Sequence, residues 1–218
     1  MELSNVRLSS FLFQATLLLL VVTPAVAQAQ ITRDDCSTSA PASAGVSVGR
    51  SSPYFDFSRG VAGSEAGGSL LVRDGILLAG RTDLPIAGPW RARIEGSTSG
   101  WRAERLAYGP SGQVTASDTL GDVAARQLFA LVGRQGGRSP VCGYVLAGGG
   151  IYSLRYKDAG VRRPGVALTA GLEIPTAHGA VQADVQLHLI NTGARYPIAS
   201  TDALAASVSV GWAYRFRR

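Results

Sequence analysis

The sequence predicts an all-β fold: an eight-stranded antiparallel up-and-down transmembrane β-barrel, preceded by a cleaved signal peptide. Three observations carry that prediction. The C-terminal stretch alternates apolar with small or polar residues and does not break. Eight such stretches can be marked along the chain, joined by links that alternate between short and long. Hydrophobic residues make up 46% and mean hydropathy is +0.14, yet no run beyond the N-terminus approaches the ~20 apolar residues of a membrane helix. Lipid offers no partner for an unpaired backbone, so such a chain can live in a membrane only as a closed sheet.

Residues 1–29 read as a secretory signal. Arg7 supplies the positive n-region, an apolar run covers 11–22, and Pro24 ends it before small residues that allow cleavage after Ala27 or Ala29. The first cysteine, Cys36, is not at the cleavage site, so the mature chain is expected to be unlipidated. Residues 30–43 lack periodicity and read as a tail, and 44–218 as the barrel domain. The net charge of +6 does not change on cleavage, because Glu2 and Arg7 cancel.

Strand one, residues 44–54, sends Val46 and Val48 outward and Ser47 inward. Strand two, 70–84, sends Ile76, Leu78 and Leu84 to one face and Leu77, Ala79, Arg81 and Asp83 to the other. A turn rich in Pro and Gly follows at 85–89. Strand three, 90–98, alternates Trp90, Ala92 and Ile94 with Arg91, Arg93 and Glu95. Charges at alternate positions are costly in a dry core but can pair with Arg81 and Asp83 across a polar lumen. Residues 100–122 are expected to form a long polar loop. Strand four, 123–133, has apolar residues on both faces (Phe129 and Leu131 against Leu128 and Val132) and could also pass for a short helix. Strand five, 141–156, places Tyr144, Leu146, Tyr152, Leu154 and Tyr156 together, which is read as a lipid face with tyrosines in two aromatic girdles. A charged loop is expected at 157–164. Strand six, 165–174, turns Val166, Leu168, Leu172 and Ile174 outward and Thr169 and Glu173 inward. Strand seven, 180–190, is the cleanest alternation, with Val181, Val185, Leu187 and Leu189 against Gln182, Asp184, Gln186 and His188.

In strand eight Leu204, Val208, Val210, Trp212, Tyr214 and Phe216 share one face, and Ser207, Ser209, Ala213 and Arg215 the other. Here the chain resembles the small outer-membrane β-barrel proteins of Gram-negative bacteria (OmpA/OmpX/OmpW-like), whose last strand alternates in this way and carries an aromatic residue near its end. The resemblance implies residence in the cell outer membrane, contact with its lipid and lipopolysaccharide, and a monomer. It also implies that the barrel-assembly machinery reads Trp212, Tyr214 and Phe216, although Arg217 and Arg218 follow. The short links 85–89, 135–140 and 175–179 then face the periplasm with both termini, and the long links 55–68, 100–122, 157–164 and 191–202 face outward. That topology puts Cys36 and Cys142 on one side. A disulfide between them is expected, with two independent thiols as the alternative.

The inward charges are Arg81, Asp83, Arg91, Arg93, Glu95, Arg126, Glu173, Asp184, His188 and Arg215. They read as a salt-bridged plug, since buried charges must be mutually satisfied; a narrow path for ions or small solutes is the alternative. Arg102, Arg105, Lys157, Arg162, Arg163 and Arg195 fall on expected external loops, where arginine could hold lipopolysaccharide phosphates or simply be solvated. No nucleic-acid module is recognisable in this exported chain. His188-Leu189-Ile190-Asn191 resembles the His-x-Ser-Asn of outer-membrane lipid A deacylases, but Ile190 replaces the nucleophile. No G-x-S-x-G elbow or metal-ligand spacing is present, and no cofactor or metal is expected. The expected function is therefore a structural or surface-interaction role without catalysis, ahead of a narrow pore and then a lipid A-modifying enzyme.

The alternative fold is a soluble β-sandwich, and fractionation separates the two. The barrel is expected in the outer-membrane fraction, released only by detergent, with different migration of unboiled and boiled protein on a detergent gel. Recovery in the periplasmic fraction without detergent would favour the sandwich.

Overall fold

The computed structural model describes residues 36, 41–54, 68–108, 110–111, 113–138, 140–191 and 202–216. The expected signal peptide and Arg195 lie outside them. The strands are β1 (Ser43–Tyr54), β2 (Gly68–Ala87), β3 (Trp90–Tyr108), β4 (Val114–Arg138), β5 (Val141–Tyr156), β6 (Ala159–Pro175), β7 (Gly179–Asn191) and β8 (Asp202–Arg215). Each pairs antiparallel with its sequence neighbours, and β8 closes the barrel on β1 from Ser43↔Arg215 to Tyr54↔Leu204. Closure removes the sheet edge, which is the condition for β-structure in hydrocarbon.

The side-chain alternation sorts residues between two media. Val46, Ile76, Leu78, Ile94, Leu168 and Leu189 are exposed on the outer wall, while Leu77, Arg81, Asp83, Arg93, Asp184 and His188 are buried inside. Trp90, Trp212, Tyr214 and Phe216 are exposed near the barrel end where β1 begins and β8 finishes, and the last three form a ladder with ring centroids 6.2 and 5.6 Å apart.

The strands run further than the alternation suggests. β2, β3 and β4 have 20, 19 and 25 residues, whereas about 9–11 tilted residues cross a membrane. Most of the expected loop 100–122 is therefore hairpin, with β3 reaching Tyr108 and β4 beginning at Val114. The expected loop 157–164 is likewise mostly strand, because β6 begins at Ala159 after a turn at Lys157 and Asp158. The turn at 85–89 shrinks to Gly88 and Pro89. Residues 114–119 of β4 are exposed on both faces, so the apolar period disappears there while the backbone ladder continues; on β3 Trp101, Ala103 and Leu106 stay buried. A register shift opposite Ala103 and Glu104 marks where β4 leaves the regular wall, and Gly121 there takes a φ of 130°, which side-chain-bearing residues rarely adopt.

Two side-chain directions differ from the sequence reading, on β5 and at Arg126, and one outward residue is unexpectedly buried. Tyr144, Leu146, Tyr152, Leu154 and Tyr156 of β5 are all buried and point inward, and Val145 and Ile151 meet the lipid instead. Both faces of β5 are apolar or glycine, so alternation cannot choose between them; the lumen needs bulk and hydroxyls on this wall. Arg126 is exposed on the outer face, with Gln127 turned inward, because the inward set of β4 is Val123, Ala125, Gln127, Phe129 and Leu131. Ile174 lies on the outer face but is buried, in a row with Val181 and Trp212 whose side chains flank it.

Cys36 and Cys142 are disulfide-bonded with Cα atoms 5.6 Å apart, tying the N-terminal tail to the first turn of β5 across 106 residues. Closing so long a loop restricts the unfolded chain. Reduction, or Cys142→Ser, is expected to cost about 2–4 kcal/mol, read as a lower urea midpoint for loss of the folded gel band. Unreduced, denatured protein should titrate no free thiol; two thiols would contradict the bond.

Candidate functional site

The lumen collects the chemistry. The half nearest the start of β1 and the finish of β8 is built by β2 and β3 on one wall and β6, β7 and β8 on the other. Arg93 donates from Nε to Asp83 Oδ1 at 2.8 Å and from Nη2 to Oδ2 at 3.3 Å, and the two residues face each other in the β2–β3 register. That pairing follows the hairpin. The other links cross the lumen. Arg81 donates to Asp184 on β7, and Arg91 donates to Glu173 on β6 at 3.2 Å. Glu173 also accepts from Arg215 on β8 and from Gln182 at 2.7 Å. Glu95 accepts from Gln186 at 2.7 Å, and Arg93 Nη1 lies 3.6 Å from Asp184 and 3.8 Å from Glu95.

Four arginines (81, 91, 93 and 215) thus meet four carboxylates (83, 95, 173 and 184), and their formal charges cancel. Cancellation is what burial requires, since a buried charge without a partner costs several kcal/mol. Arg93, the centre of the network, is 0% exposed. Arg126, read from sequence as a member, takes no part because it points outward.

Two tyrosines complete the site. Tyr144 donates its hydroxyl to Asp184, and its ring faces the guanidinium of Arg93 at 4.9 Å and of Arg91 at 5.6 Å. Tyr152 and Nδ1 of His188 share a hydrogen bond of 2.5 Å, with Phe129 packed edge-on to Tyr152 at 4.9 Å between centroids. Glycines in β6 make room for both rings. A Cβ on Gly171 would come within 2.4 Å of Tyr144 Cζ, and one on Gly165 within 2.5 Å of Tyr152 Cε2. These tyrosines were missed as lumen residues, and the glycines opposite them on β6 were the available signal.

Toward the outer end the lumen turns apolar. Trp101, Val123, Ala125, Leu154 and Tyr156 pack with Val72, Ala103 and Ala205 in a buried cluster. Trp101, Val123 and Tyr156 lie in one row across β3, β4 and β5. His188 sits below this cluster, 2% exposed, and Ile190 also points inward at 0%. The His-x-Ile-Asn stretch therefore has no nucleophile, and its histidine is shut inside the barrel. Among the described residues no group of His, Cys, Asp and Glu could hold a metal ion. Some buried polar atoms, including Arg81 Nε and Nη2 and both amide atoms of Gln127, have no hydrogen-bond partner within the protein; groups of this kind ordinarily bind water.

No protein-family model matches the chain. No curated protein matches it either. Solved structures do. Neisserial surface protein A is similar at a TM-score of 0.54 and 11% identity, over 80% of this chain and 97% of that one. The outer membrane protein OprG from Pseudomonas aeruginosa gives 0.54 and 12%, over 85% and 100%. Outer membrane protein AlkL, solved in DMPC bilayers, gives 0.50 and 14%, over 86% and 97%. The chain has the fold of the small eight-stranded outer-membrane β-barrel proteins.

Arg93→Met leaves three carboxylates short of a cation and is expected to destabilise the barrel by about 3–5 kcal/mol. The double variant Asp83→Asn with Arg93→Met keeps the lumen neutral and should cost less than Arg93→Met alone. Urea titration of the folded gel band measures both; a double variant no better than the single would show that charge balance is not what holds the network.

Proposed function

We propose that the protein is exported to the outer membrane and serves there as a closed, monomeric scaffold with a structural or surface-interaction role and no catalysis. The observation that carries this reading is the layered lumen. A neutral ion-pair network fills the periplasmic half, and the Trp101–Leu154–Tyr156 cluster stands above it. Eight strands enclose only enough space for side chains, and an apolar layer across that space blocks hydrated ions. The outer wall, apolar through its middle, contacts outer-membrane lipid and lipopolysaccharide. Trp212, Tyr214 and Phe216 form an exposed aromatic ladder at the end of β8, suited to recognition by the barrel-assembly machinery.

Conductance of refolded protein in a planar bilayer tests the closed lumen. Wild type is expected to be silent, and the double variant Trp101→Ala with Tyr156→Ala to show current steps. Reproducible steps from wild type that change with Glu95→Gln would replace the scaffold by a narrow pore.

A further inference from the structure

Both ends of the apolar outer wall are marked by arginine, but in different company. On β4 the exposed stripe Leu128, Ala130 and Val132 lies between Arg134 and Arg126, eight residues apart. At about 3.4 Å per residue that is about 27 Å along the strand, or about 20 Å along the membrane normal for the usual barrel tilt. The two arginines therefore stand at the two edges of the hydrocarbon. Arg134 packs over the indole of Trp90 at 5.8 Å, within the aromatic girdle of the periplasmic edge. Among the described residues Arg126 has no such aromatic partner.

Its neighbours are instead two further arginines. The register aligns Arg126 on β4, Ser153 on β5 and Arg162 on β6 in one row. Arg155 is the next outward residue on β5, above Ser153 and between Ala124 and Gly160. All three arginines are exposed. Among the described residues none forms a salt bridge, and Arg155 Nε donates to the carbonyl of Lys157 at 3.4 Å. The nearest outward acid on β4, Asp122, is level with Arg102 on β3. The other residues of these rows are small: Ala124, Ser153 and Gly160. The row directly below is Leu128, Ile151 and Pro164, with Val166 one pleat further down β6; Leu128, Ile151 and Val166 are exposed at 59, 58 and 55%.

We propose that Arg126, Arg155 and Arg162 form a binding site for the phosphate groups of an acylated outer-leaflet glycolipid. Strands lie about 4.8 Å apart, so Arg126 and Arg162 flank β5 at a spacing that long side chains can close on one phosphate. Guanidinium is suited to that geometry, because it donates two parallel hydrogen bonds to a phosphate. The apolar surface immediately beneath selects a ligand with acyl chains over a soluble polyanion. The site rests on the outer-membrane reading above and gives it a specific lipid contact. The sequence placed Arg126 inside the barrel and Arg162 on a loop, and only the ring brings them together with Arg155.

The test uses refolded full-length mature protein in detergent micelles and a fluorescent diphosphorylated lipid A as probe. The triple variant R126Q/R155Q/R162Q is expected to bind at least tenfold more weakly than wild type, while R134Q, at the opposite edge, binds as wild type does. Dephosphorylated lipid should bind wild type as weakly as the phosphorylated lipid binds the triple variant. Unchanged binding by the triple variant, equal binding of dephosphorylated lipid, or equally effective displacement by soluble inositol hexakisphosphate would each overturn the proposal. The three side chains are exposed, so folding should survive, as the heat-shifted gel band reports. If the triple variant does not fold, each single variant is expected to lose at least twofold in affinity, and three unchanged singles overturn the site. Wild type that never gives a heat-shifted band defeats the membrane reading itself, whereas folded wild type indifferent to phosphate defeats the site alone.

Discussion

In hydrocarbon a backbone amide or carbonyl has no partner except another backbone, and each one left unpaired costs several kcal/mol. The seam between β1 and β8 is where that constraint is met, from Ser43↔Arg215 to Tyr54↔Leu204. Without it the other pairings would make an open sheet with two bare edges. With it, every residue in the wall has two destinations, lipid or lumen. Outside, bulk apolar side chains suffice, and their shape is loosely constrained. Inside, eight strands leave a space so narrow that side chains must fill it and satisfy one another.

The contents of the lumen answer that demand in two ways. Arginines and carboxylates cancel in one half, and several of their bonds run from wall to wall, as from Arg81 to Asp184 and from Arg91 to Glu173. They act as ties across the barrel in addition to the ladder around it. Such a network is weak evidence for stability, because desolvation offsets much of the attraction, but it is unforgiving of a missing member. Tyr144 joins the two regimes, with its hydroxyl on Asp184 and its ring against the guanidinium of Arg93. Above it lies the buried aromatic and aliphatic cluster around Trp101, where the Tyr156 hydroxyl donates to the carbonyl of Leu120.

How much of this was legible depended on how sharply the medium changes across a strand. In β3 and β7 it changes from lipid to ion pair at every residue, and Arg91, Arg93, Glu95, Asp184 and His188 lie inside as their alternation requires. In β5 both faces are apolar, so the tyrosines could be placed on a face but not assigned to a side. In β4 the same ambiguity put Arg126 in the wrong medium. In the extension of β4, residues 114–119 are exposed on both faces and left no period to read. The cysteines could be put on the same side of the membrane by topology, but the 5.6 Å between their Cα atoms is a matter of three-dimensional placement.

Read from residues alone, the chain yields an eight-stranded barrel, the strand order, the apolar belt and a charged interior. All of these follow from local alternation and from the cost of unpaired backbone in lipid. Which charge meets which, the tyrosines of β5 inside, the seal around Trp101 and the arginine row outside came from the closed ring. Ring closure and register bring together residues as far apart as Arg81 and Asp184, 103 positions along the chain. Alternation reports only the face on which a side chain lies, and carries no information about what stands across the lumen from it.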